Sequence, residues 1–223
     1  MIAHRTYQLA MRARALTLSV ATTGSVQLSA TATGYARTTG SFLTDGFLPG
    51  MDLVGTSFTN AVNNAAKTIK TVSALALACD GCTVESAGTR TLTVGLPTIR
   101  EWENSEPTPT APVPTRPYVR EQYLPGAPAR QITLGPLGQL EALPVYELQL
   151  FLVPKLGILA ARAYADGLLA LFPPRLALSV PAGDSLQVRS DSGPSVRQLL
   201  QDPRGWAVLP VTIPFRVRTP NSL

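Results

Sequence analysis

Histidine occurs once in this sequence, cysteine twice, and charged side chains make up only 15% of it. A lone imidazole, His4, leaves no Ser/His/Asp set to assemble further along the chain. On a predicted N-terminal helix, a solvated surface position is enough to explain it. There is no Gly-x-Ser-x-Gly elbow and no phosphate-binding loop, so the common nucleophile and nucleotide motifs are missing. No apolar run is long enough to cross a bilayer, and no membrane contact is expected. The stretch "MIAHRTYQLAMRARALTL" lacks an uninterrupted apolar core and reads as amphipathic helix rather than as a secretory leader. Cys79 and Cys82 stand by themselves in "CDGC", with no second pair and no nearby histidine, so no metal and no cofactor is expected there. A thioredoxin-like site would need a strand feeding a helix, and "TVES" after Gly81 starts none. An Asp-Gly turn with two ordinary thiols is the expectation.

The chain does hold many turn formers, with 20 prolines and 17 glycines among 223 residues. That balance argues for a β-rich fold. The hydrophobic fraction of 45% is ordinary for a globular chain. The net charge of +5 is uneven: residues 1–18 carry Arg5, Arg12 and Arg14 and no acid, whereas residues 19–96 balance. A mild positive charge suits an acidic or nucleic-acid neighbour. No Lys/Arg cluster with interleaved aromatics points to one that is gripped along its backbone.

Hydrophobic spacing sets out the elements. Residues 2–16 read as a helix with Ile2, Leu9 and Leu16 at heptad spacing and Tyr7 and Met11 filling the same face. From Ser19 the pattern changes to period two: "SVQLSATATGY", "GMDLVGTSF", "KTIKTVSALAL" and "TRTLTVG" read as strands between Gly- and Asn-rich loops. A small β-sandwich or barrel of about 75 residues fits this spacing. It reads as a module, residues 19–96, inserted between residues 1–18 and 97–223. Residues 107–117, "PTPTAPVPTRP", form an extended connector. "YVREQYLPG" and "PVYELQLFLVP" read as strands and "ARQITLGPLGQLEALP" as a turn-rich loop. "KLGILAARAYADGLLALF" is the strongest helix, stopped by Pro173-Pro174. "DSLQVRS" is a short strand and "PSVRQLLQDPRG" holds one helical turn. "GWAVLPVTIPFRVRT" is a last strand whose Pro210 and Pro214 place it at an edge or a bulge. The fold class is therefore α+β: a mainly antiparallel sheet with two helices packed on one face, plus the inserted all-β module.

"IREWENSEP", residues 99–107, gathers Glu101, Glu103 and Glu106 around Trp102. Paired carboxylates are what glycoside hydrolysis needs. In an extended strand, however, residues 101 and 103 share one face while 102 takes the other. Trp102 then points inward as an anchor, and the glutamates form a solvated face. No catalytic residue is assigned.

The second half resembles the tail terminator family of long-tailed bacteriophages. The resemblance rests on "IREWENSEPTP", "RPYVREQYLPG", "YELQLFLVPKLG", "ARAYADGLLALFPP" and "GWAVLPVTIPFRV" in that order, with the first helix ahead of them. The stretch from about Ser19 to Leu96 departs from the simpler pattern and is similar to β-modules of other phage virion proteins, which implies a place on the outer rim. The resemblance implies a homo-hexameric ring at the head-tail neck of the virion, assembled in the bacterial cytoplasm. Its partners would be the tail tube protein on one face and a head-completion or connector protein on the other. Double-stranded DNA would pass through its lumen without sequence-specific binding. Trp102, Trp206 and Phe172 are the expected structural anchors. Arg12, Arg14, Arg130, Gln131 and Arg197 are candidate contacts between subunits or to the tube. A tail tube or head-completion protein of related fold is the alternative within the same class. A carbohydrate-binding module built on Tyr35, Phe42, Phe47 and Phe58 is the alternative outside it.

Overall fold

The computed structural model describes residues 4–101, 116–126, 130–132, 138–152, 158–180, 184–201 and 206–220. Trp102, the side chains of Glu101, Glu103 and Glu106, and the connector up to residue 115 lie outside the described residues. The chain opens with helix α1 (His4–Ala15) and then builds a first sheet. Its strands are β1 (Ser19–Thr22), β2 (Val26–Thr31), β3 (Gly34–Arg37), β4 (Asp52–Thr56), β5 (Lys67–Thr68), β6 (Thr71–Val72), β7 (Ala76–Ala78) and β8 (Glu85–Gly95), with the short helix α2 (Ala61–Asn64) after β4. The longest of them, β8, is its hub, pairing antiparallel with β1, β2 and β4.

"SVQLSATATGY" is two strands rather than one. Gly34 turns the chain at φ +151°, and a Cβ there would sit 1.8 Å from the Leu77 carbonyl oxygen, so only glycine lets β3 lie against β7. "KTIKTVSALAL" divides into β5, β6 and β7, because Ser73 closes a turn on Ala76 through its N–H (2.8 Å) and accepts the Ala76 N–H on its hydroxyl (3.0 Å).

The second sheet holds β9 (Ile99–Glu101), β10 (Tyr118–Leu124), β11 (Arg130–Gln131), β12 (Gln139–Ala142) and β13 (Val145–Leu152). After helix α3 (Ile158–Leu171) it adds β14 (Ala177–Leu178), β15 (Ser185–Val188), β16 (Ser195–Val196), β17 (Leu200–Gln201) and β18 (Ala207–Pro220). Among the described residues, only β9 pairs parallel, with β10. The chain is thus α+β with mostly antiparallel sheets.

The centre of this sheet is a single long pairing. Partners run from Gln139↔Pro220 to Ala142↔Val217, and in the same register from Val145↔Pro214 to Leu152↔Ala207. The Phe215 N–H donates to the Pro144 carbonyl at 3.1 Å across the break between β12 and β13.

Three expectations are corrected here. The loop "ARQITLGPLGQLEALP" contains the β11–β12 pairing, because residues 139–142 continue the line of β13 along β18. "PSVRQLLQDPRG" holds β16 and β17 instead of a helical turn, because its backbone bonds to β18, the Arg197 N–H reaching the Pro210 carbonyl at 2.9 Å. Most clearly, β18 lies inside the sheet despite its prolines. The carbonyls of Pro210 and Pro214 face the Arg197 and Arg189 N–H groups, at 2.9 and 3.0 Å, so their missing donors also turn to that side. The neighbours there are the short strands β15, β16 and β17, and the unbroken partner β13 loses no hydrogen bond.

Helix α1 is rolled relative to its heptad reading. Tyr7, Met11 and Ala15 are buried, while Leu9 and Leu16 are 49% and 58% exposed. The roll turns the neighbouring positions 8 and 12 toward β10, where Gln8 and Arg12 both donate to the Glu121 carboxylate. In α3 the buried stripe is Ala160, Ala161, Tyr164, Ala165 and Leu168. Its small residues let neighbours approach closely: a Cβ on Gly167 would come within 2.9 Å of Leu18. One contiguous buried cluster runs through both sheets and both long helices. The Asp52 N–H donates to the Tyr164 hydroxyl at 3.1 Å, and Arg116 grips the Asp52 carboxylate at 2.6 Å, so β4 is tied to α3 and to the entry of β10.

Candidate interaction surfaces

Side chains alternate across a strand, and in the second sheet this separates two faces. Val119, Glu121 and Tyr123 of β10, Leu148 and Leu150 of β13, and Leu209, Val211, Ile213, Phe215 and Val217 of β18 are buried on the core side. The other side carries a second apolar cluster at one end and arginines at the other. The cluster is Tyr118, Phe151, Trp206 and Val208. Tyr118 stacks on Phe151 at 4.5 Å and meets Trp206 edge-on at 5.5 Å, and the Arg120 guanidinium lies 5.2 Å from the Phe151 ring centre.

Toward the opposite end, one carboxylate organises three arginines. Glu141 of β12 is 3% exposed and lies cross-strand from Arg130 and Arg218. Arg130 donates to it at 2.8 Å, Arg218 at 3.1 Å, and the Arg216 Nε stands 3.2 Å away. The Arg130 hydrogen bonds come first among the causes that hold the Glu141 carboxyl below its ordinary range, and they outweigh burial. Glu147 plays a similar part along the sheet, accepting from Gln149 at 2.8 Å and Thr212 at 3.4 Å, with Arg197 at 4.0 Å. The exposed ends of Arg130, Arg197, Arg216 and Arg218 thus present guanidinium groups whose positions are fixed from beneath.

The five proposed contact residues divide between the two faces. Arg12 is committed within its own chain to Glu121, and Arg14 donates to the Leu171 carbonyl at 3.2 Å, satisfying the end of α3. Arg130, Gln131 and Arg197 are exposed on or beside the second face. Of the anchors, Trp206 is buried in the aromatic cluster and Phe172 closes α3 in the main core. Glu141, Arg216 and Arg218 were not singled out from sequence. The alternation of "FRVRT" carries both arginines in plain view, but the partnership with Glu141 depends on a register that local sequence does not contain.

In the first sheet Tyr35, Phe42, Phe47 and Phe58 are all buried. Tyr35 spends its hydroxyl on the Asn63 carbonyl at 2.6 Å. A groove of about 390 Å³ is lined by Thr31, Thr33, Thr71 and Ser73 among others; of these four aromatics Tyr35 reaches its wall, and it is almost wholly buried there.

Residues 85–215 match the family described as phage tail terminator protein. They run from β8 to Phe215 of β18 and so include α3 and the whole of the β13–β18 pairing, while the β18 residues that pair with β12 lie beyond the match. The chain belongs to the phage tail terminator family. As a member of it, the chain is a structural component of a phage tail. Helix α1 and most of the first sheet lie outside the matched residues. A solved structure shares 24% identity over 55% of this chain and 79% of its own, with a TM-score of 0.39. A likeness that weak carries no argument. Among curated proteins nothing matches.

Proposed function

We propose that this terminator forms a hexameric ring on the head-proximal end of the finished tail tube, stops further addition of tube protein, and gives the head connector a surface to join. The observation that carries the reading is the family match over residues 85–215, which takes in the central pairing of the second sheet and α3. Capping works by shape. One face of the ring imitates the interface between successive tube rings, and the other does not continue it. Closed heterologous contacts between identical subunits let a small chain build such a surface.

Arg130, Gln131 and Arg197 are the surface positions assigned to subunit or tube contacts. Each exposed ion pair of this type is individually weak, so many of them act together. Double-stranded DNA passes through the lumen without sequence-specific binding, and the ring acts as a structural part with no catalysis. Residues 19–96 are read as a module inserted into the terminator core, carried at the outer rim. The neck of the virion is the proposed location, after assembly in the host cytoplasm. The burial of Tyr35, Phe42, Phe47 and Phe58 weighs against a sugar platform on that module.

Electron microscopy of the purified full-length chain tests the reading. Single hexameric rings that do not stack are expected. Long stacked tubes would assign the chain to the tube itself.

A further inference from the structure

The two cysteines are placed for chemistry with each other. Cys79 directly follows β7 and Cys82 begins the segment leading to β8, and their sulfurs lie 3.5 Å apart as free thiols. Between them the Asp80–Gly81 bend folds the chain back, with Gly81 at φ +72°, a conformation that suits glycine. Both arms of the bend are held. Lys67 Nζ donates to the Gly81 carbonyl at 2.7 Å. The fully buried Asn63 clamps Thr83, donating to its carbonyl at 2.9 Å and accepting its N–H at 2.9 Å. Cys79 is 2% exposed, whereas Cys82 is half-buried and within reach of a small reagent.

We propose that Cys79 and Cys82 are a modification site that closes to an intramolecular disulfide when the protein passes from a thiol-reducing cytoplasm to an oxidising medium, stapling β7 to the entry of β8. A disulfide needs its sulfurs at about 2.05 Å, so closure requires an approach of about 1.5 Å, within the reach of side-chain rotation. The oxidant is a low-molecular-weight disulfide. The Cys82 sulfur loses its proton to solvent, attacks one sulfur of the reagent, forms a mixed disulfide and releases one thiol. The Cys79 sulfur, deprotonated in turn, attacks the Cys82 sulfur and expels the second thiol. Two protein thiols are oxidised and one small disulfide is reduced to two thiols. Cys82 acts first because it is reachable. Burial, and then the adjacent Cys82, push the Cys79 thiol upward, which makes the second step the slow one. The bond itself stands on this geometry. Its timing rests on the virion reading above, since cytosol and medium differ in redox state.

The experiment treats the full-length chain with oxidised glutathione in mildly alkaline buffer, then alkylates and weighs it. The expected product is a monomer lighter by two hydrogens, with both cysteines protected until a reductant is added. Cys79→Ser is expected to keep a glutathione on Cys82. A wild-type product stalled at that glutathione adduct, or linked between chains, would overturn the staple. A second arm alkylates released phage particles and the intracellular protein before reduction. The staple is expected in the particles and not in the cell. If the staple forms in the purified chain but the chain is missing from particles, the virion reading fails and the staple stands.

Discussion

Glu85 shows how much one side chain can be asked to hold. Its carboxylate accepts the Thr59 N–H at 2.8 Å, the Asn60 N–H at 3.2 Å and the Asn63 amide at 3.0 Å, and it pairs with Arg90. Desolvation alone would raise its pKa. The N–H of Thr59 and the Asn63 amide lead the opposing effects, which bring it from 4.5 to about 2. The unfolded chain therefore takes up a proton near pH 4.5, while the folded chain resists until about pH 2. The stabilising effect is complete above that window and lost as pH falls through it. Glu85→Gln is expected to lower the thermal midpoint at neutral pH, and the gap to wild type should close between pH 4.5 and 2. A gap that stays constant on acidification would contradict the assignment. Little of this was legible beforehand: "TVES" marks Glu85 as a polar residue at a strand start, and of its partners only Arg90 is near in sequence, whereas Thr59, Asn60 and Asn63 lie more than twenty residues earlier.

At the scale of elements, period and composition located the major pieces. "PVYELQLFLVP" became β13, "YVREQYLPG" became β10, and Pro173-Pro174 stops α3 at Leu171 as expected. What the pattern could not settle was which way an element faces. In α1 the leucines at heptad spacing look outward, because Arg12 and Gln8 are drawn to Glu121, whose side chain is completely buried. A buried carboxylate is costly without its partner, and a charge pair of this type favours one docking angle. Nearby, the Tyr146 hydroxyl is buried without a hydrogen bond of good geometry among the described residues. Burial first, and the Glu121 charge second, push its pKa well above the usual tyrosine value. Arg12→Ala is expected to cost about 3–5 kcal/mol in urea unfolding, whereas the paired change Arg12→Met with Glu121→Leu should be close to neutral. Equal losses in the two variants would show that the helix is held by its apolar stripe alone. Pro210 and Pro214 teach the same lesson: proline forbids a donor on one side of a strand, and a strand in the middle of a sheet tolerates it when the neighbours on that side are short.

For the molecule as a whole, the two sheets follow one another in the chain, the first ending with β8 and the second starting with β9, and one buried cluster runs through both. The tie between them was hidden, because the Asp52 contacts with Tyr164 and Arg116 join residues more than sixty positions apart. The arginine face was half legible. "FRVRT" announces alternation, but Glu141 beneath it emerges only from the constant register of β12 and β13 along β18. The central claim is that the chain ends tail growth, and the most direct measurement is tail length in the phage that encodes it after this gene product is removed. Electron micrographs of such lysates should show tails of broadly distributed, excessive length, unattached to heads. A narrow distribution at the normal length would contradict the account.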